Sequence, residues 1–143
     1  MNILEILTPK RLLGNFGERE AARLLKRKGY KIIKRNFTAD GAEIDIIAEC
    51  AEAVVFVEVK SRSTDKINPK ESRPAAAITP EKQRKIINAA KIYCAFNPKD
   101  KKKRFDVIEV LVEGEGKARR VKDIKHIMGA FDKSSAYVGY VKR

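Results

Sequence analysis

Two short stretches decide how this chain folds: Glu43-Ile44-Asp45-Ile46-Ile47 and Val54-Val55-Phe56-Val57-Glu58-Val59-Lys60. Both are β-type runs of branched and aromatic residues interrupted by charge. Strand side chains alternate faces, so Glu58 and Lys60 share one face, Val57 and Val59 share the other, and Asp45 points opposite to Ile44 and Ile46. Paired as neighbours in suitable register, the two runs bring one Asp, one Glu and one Lys together. Such a trio can hold a hard divalent cation through oxygen ligands and set an ammonium beside a water or a phosphate. The same alternation also describes the wet face of an antiparallel sheet, so these residues alone leave both readings open.

Outward from this centre, the preceding sequence reads as helix then strand. Gly14 or Asn15 opens a helix with Ala21, Ala22, Leu24 and Leu25 at helical spacing, acidic residues early, Lys26, Arg27 and Lys28 late, and Gly29 as its stop. Tyr30 to Asn36 is expected to be a strand and Thr38 to Ala42 a turn, with strands over Glu43–Glu49 and Val54–Ser61. Arg62 to Ala77 is charged, aperiodic and broken by Pro69 and Pro74, the pattern of a loop leaving the lysine-bearing strand. Thr79-Pro80-Glu81 opens a second helix, running to about Ala95, with Ile86, Ile87, Ala90 and Cys94 inward and Lys82, Gln83, Arg84, Lys85 and Lys91 toward solvent or substrate. A strand over Arg104–Val112, a turn at Glu113–Gly116 and a last strand or short helix over Lys117–Met128 complete the reading.

Composition bounds the partner. With 32 Lys plus Arg against 19 Asp plus Glu, the formal charge is +13 and the pI near 9.9, a field that attracts polyanions through counterion release. Charge names the partner class, nucleic acid, and says nothing of chemistry. At 143 residues, the chain fits a single domain spanning 1–143. It holds no apolar run of the roughly 18 residues that a membrane span needs, so a cytoplasmic protein without a membrane partner is expected. Cys50 and Cys94 lack metal-ligand or disulfide spacing. His126 is the only histidine; two-histidine ribonuclease chemistry and histidine-rich zinc sites therefore fall away within one subunit. Any chemistry falls to carboxylates and lysine, and His126, in an alternating segment, reads as structural. So does Asp106, two residues from Arg104 on one strand.

An ordered set of motifs adds to this. Gly17-Glu18 with Ala21, Gly29-Tyr30, Asn36-Phe37, Glu43-Ile44-Asp45, Phe56-Val57-Glu58-Val59-Lys60-Ser61-Arg62, Lys82, Arg104-Phe105-Asp106 and Ala130-Phe131 follow one another as in the YraN family. The chain resembles that family, within the restriction-endonuclease-like PD-(D/E)XK superfamily, and is similar in layout to archaeal Holliday junction resolvases. The resemblance covers about residues 14–131, leaving 1–13 and 132–143 as terminal extensions. It implies an α/β fold with a central mixed β-sheet flanked by α-helices and a Mg²⁺-dependent phosphodiesterase site, with Mn²⁺ as a substitute. Asp45 and Glu58 match its metal-binding carboxylates, Lys60 the lysine of the motif, and Glu18 the acid that the first helix carries toward the metal. Ala42 departs from the glycine usual before Glu-Ile-Asp, and no proline precedes Asp45.

The resulting expectation is a metal-dependent nuclease hydrolysing DNA rather than RNA, on structured or branched substrates, with a homodimer allowed. The alternative is a non-catalytic nucleic-acid-binding module on the same scaffold. Arg62, Lys82 and Gln83 are candidates for phosphate contact, against an ordinary solvated surface. Glu43 reads as a supporting carboxylate on the face of Asp45.

Overall fold

The computed structural model describes residues 8–64 and 78–133. Most of the loop expected over Arg62–Ala77, and the chain from 134 onward, lie outside the described residues. Helix α1 spans Pro9–Arg27 and begins well before Gly14. Its start is a threonine cap followed by proline, the signature also present at Thr79-Pro80: Thr8 Oγ1 accepts from the Arg11 N–H at 3.2 Å. Strands β1 (Lys31–Ala39), β2 (Ala42–Glu49) and β3 (Ala53–Ser63) follow, then α2 (Pro80–Phe96), β4 (Lys102–Glu113), a 3₁₀ turn (Gly116–Ala118) and β5 (Arg120–Phe131).

The strands form one sheet in the order β1-β2-β3-β4-β5. All neighbours are antiparallel except β3 and β4, the pair joined through α2. The sheet is therefore mixed, with a helix on each face, the α/β class expected. The turn after β1 is tighter than the sequence suggests. Thr38 and Ala39 remain in the strand, and only Asp40 and Gly41, with φ of 50° and 75°, make the reversal, as a two-residue Asp-Gly hairpin of the right-handed sheet twist demands.

Each face buries its own core. Under α1, Ala21, Ala22 and Leu25 pack on Ile46, Val55, Val57, Ile108 and Val110. Under α2, Ile86, Ile87, Ala90 and Tyr93 pack on Ile44, Ile47, Phe56, Val107 and Phe131. Gly17 lets α1 lie close on β3: a β-carbon there would stand 1.6 Å from Ser61 Oγ. The helix is thus set against the C-terminal end of the lysine-bearing strand, with Glu18 next in line.

One assignment of faces is corrected. Simple alternation puts Ile44 and Ile46 on the same side, yet Ile44 joins the α2 core and Ile46 the α1 core. The change of face coincides with a break on β1, where Asn36 adopts φ of 54°, a left-handed conformation that asparagine tolerates. Asn36 lies across from Asp45, between the pairs Arg35–Ile46 and Phe37–Ile44. On the other side of β2, its ladder with β3 runs from Glu49–Val54 to Ile46–Val57 and stops there. The sheet therefore opens on both sides of Asp45.

Candidate active site

The opening determines what Asp45 can meet. Where Asp45 and Glu58 would be the next pair of the ladder, the Val59 N–H instead donates to Asp45 Oδ2 at 2.8 Å. Glu18 arrives from α1. One carboxylate oxygen each from Glu18, Glu43 and Asp45 lie within 4.8 Å of one another, the one such cluster among the described residues. With its amide nitrogen turned to the acids, Asn36 donates to Glu18 Oε1 and Glu43 Oε1, both at 2.9 Å. The residue that breaks the strand also ties two of the three carboxylates together.

Glu58 stands beside this cluster on the α2 side of β3, with only 7% of its surface accessible. Lys82 Nζ, from the first turn of α2, donates to Glu58 Oε1 at 2.9 Å, and Lys60 Nζ lies 3.8 Å from the same oxygen. Thr79 fixes that first turn, its hydroxyl oxygen accepting from the Lys82 N–H at 3.1 Å. Asp45, Glu58 and Glu43 line one side of an open cleft of about 460 Å³, with Thr79, Lys82 and Lys85 opposite.

The electrostatics follow from this crowding. Burial, then repulsion from Glu58, then the nearby Glu18 and Glu43 push the Asp45 carboxyl up to about 8, while the Val59 N–H works in the opposite direction. The Glu18 carboxyl is also raised, chiefly by burial, with Arg35 and Arg11 opposing and Glu43 and Glu58 adding to it. The Lys60 ammonium is lowered by burial and by the adjacent Lys82, against the pull of Glu58. Lys82 is raised: burial disfavours its charge, and the Glu58 carboxylate outweighs that. Hard oxygen donors with too few counter-charges fit a small divalent cation, whose arrival would relieve the repulsion.

The structure thus gathers Glu18, Asp45, Glu58, Lys60 and Lys82, and brings Glu43 into the acidic cluster beside Asp45. Arg62 does not join them; its Nε pairs with Glu109 Oε2 at 3.7 Å. Gln83 departs from the sequence reading. It is fully buried, and its amide donates to the Ile78 carbonyl at 3.0 Å, so it presents no surface to a phosphate. Its place on α2 explains this: it is on the same helical stripe as Ile86, Ile87 and Ala90. Sequence reasoning gave Asn36 no role, although an asparagine inside a strand pattern is the usual mark of a left-handed break.

A second polar cluster is structural. Asp106, fully buried, accepts from Arg104 Nε and Nη2 at 2.9 and 2.8 Å, from the Gly129 N–H at 2.9 Å and from His126 Nε2 at 2.7 Å. Lys28 Nζ meets His126 Nδ1 at 2.6 Å, which leaves the ring proton on Nε2. Despite burial, His126 and Arg104 hold the Asp106 carboxyl below the ordinary range.

Comparison with known proteins places the chain in a family. The sequence profile described as "Uncharacterised protein family UPF0102" matches residues 17–110, a span that holds every residue of the candidate site. A UPF0102 protein of Caldanaerobacter subterraneus subsp. tengcongensis is 39% identical over 123 residues, covering 85% of this chain and 96% of that protein. One from Prosthecochloris aestuarii is 43% identical over 122 residues, 83% of this chain and 92% of its own, and one from Geobacter metallireducens is 40% identical over 121 residues, 84% and 92%. No helix among the described residues is long and apolar enough to cross a membrane. With more than half its length matched by the profile and relatives of this identity along most of both chains, the chain belongs to the UPF0102, or YraN, family.

Proposed function

We propose that the protein is a metal-dependent nuclease that hydrolyses DNA phosphodiester bonds in the cleft between β2, β3 and the start of α2. The observation that carries this reading is the under-compensated acidic cluster of Glu18, Glu43 and Asp45, with Asp45 pushed up to about 8, directly beside two lysines on Glu58. A pure binding surface has no use for carboxylates held together in the path of a phosphate backbone.

Asp45, Glu58, Glu18 and Glu43 supply the hard oxygens that would hold Mg²⁺ or Mn²⁺. When bound, such an ion polarises the scissile phosphate and neutralises developing charge. Lys60, beside Glu58 at the edge of the acidic cluster, orients the attacking water and offsets the charge that develops on the phosphate. Asn36 keeps Glu18 and Glu43 at a fixed spacing. The +13 charge of the chain draws in the polyanion with little sequence preference.

The deciding experiment is a cleavage screen over single-stranded, duplex, flapped and four-way DNA with Mg²⁺, Mn²⁺ or Ca²⁺. Mg²⁺ or Mn²⁺ is expected to support cleavage and Ca²⁺ binding only. Asp45→Asn, Glu58→Gln and Lys60→Ala abolish cleavage and leave DNA affinity nearly unchanged. Full activity in chelator, or in the Glu58 variant, overturns the assignment. Tight binding without turnover on every substrate supports the alternative, a nucleic-acid-binding module on a nuclease-like scaffold.

A further inference from the structure

We propose that Lys82 is the resident counter-ion of Glu58, which a divalent cation must displace on entering the site, and that the freed ammonium then engages a substrate phosphate. This rests on the metal-site reading above and adds to it an order of events: metal and substrate bind cooperatively because one lysine serves them in turn.

Two ammonium groups share one carboxylate oxygen. Lys82 Nζ is 2.9 Å from Glu58 Oε1 and Lys60 Nζ is 3.8 Å from it, while Glu58 itself is 7% accessible. Glu58 holds both ammonium groups, and Asp45 attracts them from further off. A doubly charged ion arriving at Asp45 and Glu58 would take over those carboxylates and repel both ammonium groups, and one lysine must yield. The two differ in freedom. The Lys60 side chain is 25% accessible and rises from the middle of a sheet; the Lys82 side chain is 42% accessible and rises from the first turn of α2 on the opposite wall of the cleft. Lys82 can swing on its four-carbon stem into the cleft without moving its helix, whose start is held by Thr79. A phosphate lying across the metal offers the released ammonium a new partner. By linkage, a substrate that takes Lys82 away from Glu58 tightens the metal site by the same factor as the metal tightens substrate binding.

The test measures metal affinity in the full-length protein. Mn²⁺ is titrated calorimetrically, with and without a short duplex oligonucleotide carrying a cleavage-resistant phosphorothioate backbone, into the parent, Lys82→Met, Glu58→Gln and Lys91→Met; the last removes an equal charge from the exposed side of α2. Without DNA, Lys82→Met is expected to bind Mn²⁺ about fivefold more tightly than the parent, the size of one half-exposed ion pair, while Lys91→Met is unchanged. DNA tightens Mn²⁺ binding in the parent, and Lys82→Met abolishes that coupling. Unchanged or weaker Mn²⁺ binding in Lys82→Met, with binding lost in Glu58→Gln, overturns the displacement and leaves the metal site standing. Parent-like Mn²⁺ binding in Glu58→Gln overturns the metal site and the displacement with it. An equal gain in Lys91→Met shows a general charge effect and also overturns the proposal.

Discussion

Neutralising Asp45 stabilises the metal-free protein, and the gain grows with pH. In the unfolded chain this carboxyl has its ordinary value of 3.8; folding raises it to about 8. The native state therefore holds its proton more tightly, binds more protons than the unfolded state between those values, and loses stability as pH rises through the window. About four decades of acidity at ~1.4 kcal/mol each bound the cost near 6 kcal/mol above pH 8. Water in the open cleft and rearrangement of Lys60 and Lys82 screen much of it, leaving an expected net cost of about 2 kcal/mol at pH 9. Asn keeps an oxygen for the Val59 N–H and offers an amide to the neighbouring acids, so Asp45→Asn removes the cost without a new orphan. With Tm moving about 2–4 °C per kcal/mol for a chain of this size, the variant melts about 4–8 °C above the parent at pH 9 and level with it near pH 4.

Thermal melts in chelator at pH 4, 6, 7, 8 and 9 measure this. A constant offset across the series, or a variant less stable at pH 9, refutes the reasoning, because neither follows from a shifted carboxyl. Glu58→Gln behaves oppositely in the same series: it strands Lys60 and Lys82 and costs about 1 kcal/mol. Mg²⁺ in hundredfold excess over its dissociation constant stabilises the parent by ~2.7 kcal/mol, and Asp45→Asn loses this gain. An equal gain in both proteins places the metal elsewhere.

Gly17→Ala is expected to cost at least ~2 kcal/mol by denaturant titration, because its β-carbon would meet Ser61 Oγ at 1.6 Å and Cβ at 2.8 Å; Ser61→Gly in the same chain restores most of it. Asp106→Asn costs about 3 kcal/mol at pH 7, and because the parent carboxyl is held low, its stabilisation is present above the ordinary carboxylate range and lost as pH falls, so the variant has a flatter acid limb in urea melts. DNA affinity falls steeply and linearly in log salt between 50 and 200 mM, the concentrations over which several phosphate contacts are read out; a flat response in fluorescence anisotropy removes the basic surface as the binding surface.

The strands and helices were legible because their signals are repetitive or local: branched runs, helical spacing of alanine and isoleucine, and the threonine-proline start at residue 79; the same start stands at residue 8, where the sequence reading instead opens the helix at Gly14 or Asn15. The shared face of Glu58 and Lys60 and the nearness of Asp45 were legible for the same reason, since alternation and neighbouring strands suffice for that much. What was not legible depends on single backbone events. One left-handed residue, Asn36, leaves no periodic trace, yet it lies across from Asp45, where the faces of Ile44 and Ile46 part, the ladder to β3 stops and Glu18 comes in from α1. Gln83 misled by chemistry rather than position: flanked by Lys82 and Arg84 it reads as exposed, while its spacing to Ile86 and Ala90 puts it inward.

A comparison of half-buried Asp45 on β2 with fully buried Asp106 on β4 argues most directly for a site at Asp45. Asp106 is satisfied by a guanidinium, an imidazole and a backbone N–H, and its carboxyl is held low. Asp45 has one backbone N–H and three carboxylates within electrostatic reach, and its carboxyl is pushed up to about 8. The fold has cations to spare: Arg11 and Arg35 lie close enough to lower Glu18, and Lys60 and Lys82 both sit on Glu58. Lys60 and Lys82 feel the Asp45 carboxylate, yet the side-chain contact that both make is to Glu58. An acid left under-compensated among available cations destabilises the resting protein, and a sheet that satisfies Asp106 so fully had the means to avoid it. Such local conflict is expected where a missing positive charge arrives with a ligand, and at Asp45 hard oxygen donors make a divalent cation the matching one.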